Sequence, residues 1–304
     1  MNNFDSAAEN PCSVVKATGL IGLGLLGSAL AERMVECGTS ICGYDTNAVQ
    51  RKALVQLGGV ECNSAEEVVR GCDILWLSLP SSDVVLSLVN QLRRHFRPGQ
   101  IVVDTTTGDP IDMIAIGKSL LQFGVHYVEA TVAGSSAQVR SVQAALFLGG
   151  DAEIVQRIEP QLASITSTHF YLGPVGSASR FKLVHNLMLG LQRAVLAEGL
   201  VFAESLGFDP NETLKILQQT PAAAAVMQSK GWRMTTHNYE PQARLSQHLK
   251  DVRLILAQAE RNGLNIPLSL VHKELLEKAE QLGFGDADNS AVIEALRHPN
   301  ARAQ

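Results

Sequence analysis

The chain has 304 residues and a formal net charge of -5, with 46% hydrophobic and 18% charged residues. That size and apolar content allow two ordinary domains with substantial cores, and the acidic balance argues against a nucleic-acid partner, which would call for a basic patch. No run of about 18 apolar residues is free of charge, so neither a membrane-spanning helix nor a membrane partner is predicted.

The start, MNNFDSAAENPCS, is polar, lacks a basic-then-apolar pattern and reads as a loose tail over residues 1–14. Five cysteines (Cys12, Cys37, Cys42, Cys62 and Cys72) lie in the first quarter without metal-type pairing, so no metal site is expected. An odd number with no secretion signal points to reduced thiols in a cytoplasm. From residue 15, short apolar runs alternate with amphipathic stretches. ATGLIGLG reads as a strand entering a glycine turn, SALAERMVECG as a helix ending at Gly38, SICGYD as a strand and NAVQRKALVQLGG as a helix with a glycine stop. CDILWLSLP and QIVVDTT have the continuous apolar character of buried strands. HYVEATVAG and AALFLGG are further strands, and DAEIVQRIEPQLASI is one helix with Asp151 as its N-cap.

This alternation predicts an α/β fold over residues 15–174, a doubly wound parallel sheet with helices on both faces. After HFYLGPVGS no strand signal returns. A long, mostly apolar helix runs from about Gly176 to Gly207, followed by helical PNETLKILQQT, RLSQHLKDVRLILAQAERNG and SLVHKELLEKAEQLG. Residues 175–304 are therefore expected to form an all-helical domain for substrate binding and oligomerisation. The long helix, apolar on every side, is expected to be its buried spine, with a subunit interface as a further role.

GLIGLGLLGSALAERM sets Gly22, Gly24 and Gly27 in G-x-G-x-x-G spacing, after a strand and opening a helix. Gly22 permits the tight turn, Gly24 lets backbone approach a pyrophosphate, and Gly27 lets the helix pack close to the strand. The same turn, with Leu23, Leu25 and Leu26, brings the N–H groups of a helix N-terminus to the phosphates. In that context the motif reads as a Rossmann-type dinucleotide site. Asp45 follows Gly22 by 23 residues and ends the second strand. A carboxylate there accepts hydrogen bonds from ribose hydroxyls and repels a 2′-phosphate; it can also cap the helix beginning near Asn47. Arg51 lies a turn or more down that helix, so NAD is expected over NADP.

GSASRFKLVHN opens the long helix with Lys182 and Asn186 four residues apart, on one helix face. A lysine aimed into a cleft can give a proton to a carbonyl oxygen as hydride reaches the carbonyl carbon, and its neutral amine can take the hydroxyl proton in reverse. Partial burial lowers its pKa toward the working pH. The plain alternative is a lysine whose stem lies along the helix and whose head reaches water.

Four segments together resemble the β-hydroxyacid dehydrogenase family, the group containing 3-hydroxyisobutyrate dehydrogenase: the glycine motif; LSLPSSDVVLSLV with VVDTTTGDP; EATVAGSSAQVRSVQAALFLGG; and GPVGSASRFKLVHN with the later HLKDVRLILAQA and GFGDADNSAVIEAL. They run in family order along nearly the whole chain. The resemblance implies Lys182 as catalytic acid/base with Asn186 as its partner. It implies Leu79 and Pro80 in the loop beside the cofactor riboses, Thr107 near the nicotinamide ribose, and Lys250 reaching the cofactor from the helical domain. Asp251 either orients that lysine or merely opens a helix turn. A homodimer or homotetramer is implied as well.

The family's substrate loop, D-A-P-V-S-G-G, reads EATVAGS here, Glu129 to Ser135. Ala133 replaces the serine, Thr131 the proline and Ser135 the second glycine; Val142 replaces a glycine further on. The carboxylate-holding role is thereby left to Gly134 and backbone, with Ser135 and Thr131 as displaced hydroxyls. A usual aromatic is Ala243, and Gln247 stands for an apolar residue, with Arg244 nearby. The expected function is hydride transfer between NAD and a small 3-hydroxy carboxylic acid or its aldehyde, longer or more polar than 3-hydroxyisobutyrate. An NADPH-dependent semialdehyde or glyoxylate-type reductase is one rival. A catalytically silent NAD-binding module is the other; Ala133 and Ala243 keep it open, and the Lys182–Asn186 pair counts against it.

Overall fold

The computed structural model describes residues 17–298, so the expected tail at 1–14 and Cys12 lie outside the described residues. The first half alternates strand and helix: β1 (Thr18–Ile21), α1 (Leu25–Glu36), β2 (Ile41–Tyr44), α2 (Ala48–Gln56), β3 (Val60–Glu61), α3 (Ala65–Gly71), β4 (Ile74–Leu77), α4 (Ser82–Leu92), β5 (Ile101–Asp104), α5 (Pro110–Leu121), β6 (His126–Ala133), α6 (Ser136–Arg140), β7 (Ala145–Gly149), α7 (Ala152–Arg157), α8 (Glu159–Ile165) and β8 (His169–Tyr171). Helices then dominate: α9 (Ser177–Ser205), α10 (Pro210–Leu217), a π turn at Met227–Gly231 leading into α11 (Trp232–Thr235), α12 (Leu245–Arg261), α13 (Pro267–Ala279), a second π turn at Glu280–Phe284, a 3₁₀ turn at Asn289–Ile293 and α14 (Glu294–Arg297).

The strands form one sheet in the order β3-β2-β1-β4-β5-β6-β7-β8. Period-two alternation sends neighbouring residues to opposite faces. Leu20, Trp76 and Val103 enter one core, while Ile21, Leu75 and Val102 enter the other. Both faces are covered, which is why these strands read as continuous apolar runs. Helix starts follow local chemistry: the Asp109, Asp151 and Asp209 side chains each accept a hydrogen bond from a first-turn N–H.

Two expectations are corrected. The sheet is not wholly parallel, because β7 runs antiparallel to β6. The connection between them holds only the five-residue α6, too little for a parallel crossover. The helix expected over 151–165 is two helices meeting at Ile158. Pro160 lies in the first turn of α8, where its missing N–H is tolerated; it could not sit inside a continuous helix.

Helix α9 carries the chain from sheet to helical domain. Its start is tied to β6: buried Glu129 accepts a 2.7 Å hydrogen bond from Gly176 N through Oε2. Two readings of α9 change. It is 29 residues long and apolar enough, by length and composition, to cross a membrane; a hydropathy average tolerates scattered charges that a charge-free run does not. Nor is it apolar all round. Its buried face carries Lys182, Asn186 and Arg193, and Leu196, Ala197 and Leu200 continue that face into the core of the helical domain. Phe181, Val184, Met188, Val195 and Phe202 are exposed on the other side.

Gly190 is where α9 meets two packed rings. A Cβ there would lie 2.6 Å from His248 Nε2 and 2.6 Å from His272 Cε1. Gly190→Ala is therefore expected to destabilise the protein by about 1–3 kcal/mol through overpacking, against the helix propensity it gains; a lower urea midpoint with unchanged slope would register this, and a raised midpoint would refute it.

Candidate functional site

The strand order turns back between β1 and β4, which opens a crevice at the carboxyl ends of the strands. Gly22 sits there at φ +92°, and a Cβ on it would run into the Ser78 carbonyl. A Cβ on Gly27 would collide with the Gly22 carbonyl. The fold itself needs these two glycines. Gly24 is different: a Cβ there meets nothing within 4 Å, and it heads α1 with no side-chain cap. Open space before a helix start with unmet N–H groups suits a phosphate, and Leu25 and Leu26 form the first turn. Leu23 plays another part. Its side chain is in the core and its N–H donates to Asp45 Oδ2 at 2.7 Å, so that N–H is not free for phosphate.

Asp45 also accepts from Asn47 N at 2.8 Å. The cap of α2 is Asn47, whose side chain accepts from Val49 N; Asp45 does not take that role. Arg51 is nearer than its sequence position implied. It folds back so that Nη1 donates to the Asp45 carbonyl at 2.8 Å, while Nε donates to Glu61 at 2.7 Å. The guanidinium lies 5.6 Å from the Tyr44 ring centroid.

The opposite wall reaches across. Lys250 Nζ donates to the Pro80 carbonyl at 3.1 Å and to the Thr107 carbonyl. Gln247 Nε2 joins it on Pro80 at 2.9 Å, and Leu79 N donates to Thr106 Oγ1. One cation of the helical domain thus bridges both cofactor-side loops. Asp251 accepts from Asn186 Nδ2 at 2.8 Å and lies 3.0 Å from Lys250 Nζ. It therefore does more than open a helix turn. Arg244, in contrast, is exposed and 3.8 Å from Asp286.

Lys182 is 6% exposed, so it does not reach out to water. Its Nζ donates to the Val132 carbonyl at 2.6 Å. Burial pulls its pKa down to about 8; Asp251 opposes this, and the Arg193 and Lys250 charges add to it. An amine so placed holds both protonation states within reach near neutral pH. Asn186 lies one turn on, buried, with its Oδ1 3.1 Å from His185 Nδ1.

The substrate-loop residues separate. Thr131 is fully buried, and its hydroxyl has no partner among the described residues. Ala133 ends β6, and Gly134 leads to Ser135. Ser135 is occupied: its N–H donates to Gln138 Oε1 and its hydroxyl accepts from Gln138 N, a capping box on α6. The displaced-hydroxyl role expected of it competes with that box. Two features escaped sequence reasoning. Lys230 Nζ donates to both oxygens of buried Asp288 at 2.8 Å, a pairing across 58 residues with no local signal. Arg193 is buried on the Lys182 face of α9. A groove of about 220 Å³ lies at Lys230, lined also by Ser135, Gln138, Gln228, Arg233 and Gln242.

Comparison with known proteins agrees with this geometry. Residues 17–173 match the family model described as the NAD binding domain of 6-phosphogluconate dehydrogenase. Residues 176–296 match the NAD-binding domain of NADP-dependent 3-hydroxyisobutyrate dehydrogenase. The chain is 30% identical over 287 residues to glyoxylate/succinic semialdehyde reductase 2, chloroplastic, of Arabidopsis thaliana, covering 93% of this chain and 80% of that one. It is 25% identical to 2-(hydroxymethyl)glutarate dehydrogenase of Eubacterium barkeri, covering 90% and 93%. The fold matches a crystal structure of 3-hydroxyisobutyrate dehydrogenase from Salmonella typhimurium with TM-score 0.85 at 22% identity, covering 91% and 99%. With family models matching both halves in order, and the first alone spanning more than half of the residues, the chain belongs to the β-hydroxyacid dehydrogenase family of NAD(P)-dependent oxidoreductases.

Proposed function

We propose that the protein moves a hydride between NAD and a small 3-hydroxy carboxylic acid, with Lys182 as general acid/base. The observation that carries this is the buried Lys182 ammonium, one helical turn from Asn186, whose partner Asp251 lies beside the Lys250 that bridges the loops at Pro80 and Thr107. A bound nicotinamide dinucleotide supplies the hydride acceptor or donor. In the oxidative direction the neutral Lys182 amine takes the hydroxyl proton; in the reductive direction its ammonium returns one to the carbonyl oxygen. Asp251 holds the Asn186 amide through its Nδ2, one helical turn from Lys182. With Ser135 committed to Gln138 and the Thr131 hydroxyl fully buried, holding the substrate carboxylate falls to backbone at Ala133 and Gly134.

The relative named 2-(hydroxymethyl)glutarate dehydrogenase supports a hydroxy-acid substrate. The relative named glyoxylate/succinic semialdehyde reductase supports the same chemistry run toward the alcohol. An NADPH-dependent reductase is the second reading, and Arg51 beside Asp45 favours it. The silent-module reading has the Lys182–Asn186–Asp251 arrangement against it. The exposed apolar residues of α9, spaced by helical turns, support assembly into a homodimer or homotetramer.

Four outcomes are expected. Lys182→Ala lowers kcat by roughly 10²–10⁴. In the intact protein, kcat/KM for oxidation rises with pH and levels off above an apparent pKa of about 8; stopped-assay pH profiles of both proteins decide this, and an unchanged profile in the variant removes Lys182 from the role. NAD is preferred over NADP by at least about tenfold in kcat/KM, since Asp45 would face a 2′-phosphate as a like charge; a reversed ratio would establish the reductase reading. Val195→Glu with Phe202→Glu lowers the molar mass seen by light scattering, whereas a wild-type monomer would exclude assembly through α9.

A further inference from the structure

We propose that Cys42 and Cys72 are a redox-modification site, a pair that hydrogen peroxide closes into a reversible disulfide across β1. Their sulfurs lie 3.2 Å apart. Both are free thiols, and they come from separate elements: Cys42 from β2, and Cys72 from the end of α3 just before β4. β1 runs between β2 and β4, and its residue beside Cys42 is Gly19. A Cβ on Gly19 would lie 2.6 Å from Val68 Cγ1 and 3.2 Å from Cys72 Cβ. The bare glycine leaves the room in which the two sulfurs meet.

Closing the pair needs little movement. A disulfide holds its sulfurs about 2.0 Å apart, roughly 1.2 Å closer than here. The backbone on each side is already fixed. Gln100 Nε2 donates to the Cys72 carbonyl at 2.7 Å and Arg97 Nη2 donates to it at 3.2 Å. Cys42 is held in the ladder between β1 and β3. Rotation of two side chains therefore suffices. Cys62 is the third thiol of the cluster and interacts with Cys42, but burial pushes it up to about 12, so it stays protonated and takes no part.

The hydrogen bond between the two thiols pulls Cys72 below the ordinary thiol range and holds Cys42 above it. One proton therefore leaves the pair readily, and the other stays between the sulfurs. Cys72 has no exposed surface, whereas Cys42 is half-buried and meets the oxidant. As the shared proton moves to Cys72, the Cys42 thiolate attacks a peroxide oxygen. The S–O bond forms, the O–O bond breaks, and the departing hydroxide takes up a proton as the first water. Cys72 then attacks the Cys42 sulfur. The S–S bond forms, the S–O bond breaks, and the Cys72 proton leaves with that oxygen as the second water. Two thiols are oxidised and one peroxide is reduced. The bond spans 30 residues of sequence. β2, which leads to Asp45, and the two-residue β3 join the sheet through β1; the disulfide gives that edge a second attachment, at the entry to β4.

The test treats the whole chain with hydrogen peroxide, raised until the exposed Cys37 is oxidised, and maps the thiols by peptide mass spectrometry. A linked Cys42–Cys72 peptide pair is expected, and dithiothreitol should separate it. Cys62→Ala should keep the link, and Cys72→Ser should lose it. The thermal midpoint of the oxidised chain should stand about 5–10 °C above that of the reduced chain, the scale of closing such a loop in a protein of this size, and Cys72→Ser should show no such rise. A pair that stays reduced while Cys37 oxidises overturns the site. So does a link through Cys62, or oxidation that ends in separate sulfinic acids. A linked chain whose midpoint does not rise overturns the second attachment of β2. Where Cys72→Ser fails to fold, the linked peptide of the unaltered chain decides alone.

Discussion

Lys182 holds its ammonium in the cleft against the Val132 carbonyl, and the free-energy cost of desolvating that charge has to be met by what surrounds it. Most of the arrangement between the domains follows from that need. The carbonyl supplies one acceptor, and Asp251 supplies the compensating negative charge. Asp251 is itself held by Asn186 from α9 and lies beside Lys250 on α12. Lys250 in turn grips the loops after β4 and β5. Asn186, Asp251, Lys250 and the two loops are therefore parts of one polar network beside Lys182, and Glu129 sets its origin by pinning the start of α9 to β6.

The same need explains why α9 is inverted relative to an ordinary amphipathic helix. Such a helix turns its apolar stripe inward and its charges to water. Here the first three turns bury Lys182 and Asn186 and leave Phe181, Val184 and Met188 outside. Further along, Leu196, Ala197 and Leu200 restore an apolar interior. The helix is polar inside only where it borders the cleft.

Much of this was legible in the sequence where the chemistry is local. The strand runs, the glycine turn and the aspartate caps are written within a few residues, and so is the shared face of Lys182 and Asn186. The direction of β7 was not legible from strand character alone; it depends on how little chain lies between β6 and β7. The break between α7 and α8 was visible in Pro160 but outweighed by the apolar periodicity around it. Arg51 returning to Asp45, Leu23 N–H spent on a carboxylate, and Lys230 meeting Asp288 all depend on chain segments brought together by folding. Arg193 was hidden in a different way: a single arginine in an apolar helix reads as surface until the helix is packed.

The Asp45 carboxylate braces the glycine turn through Leu23 N and the entry to α2 through Asn47 N. Exchanging Asp45 to recruit a different dinucleotide would also loosen the turn that presents Gly24. A descendant that exchanges Asp45 therefore has to rebuild the order of that loop from elsewhere, which makes this position harder to drift away from than a side chain with no backbone partners would be.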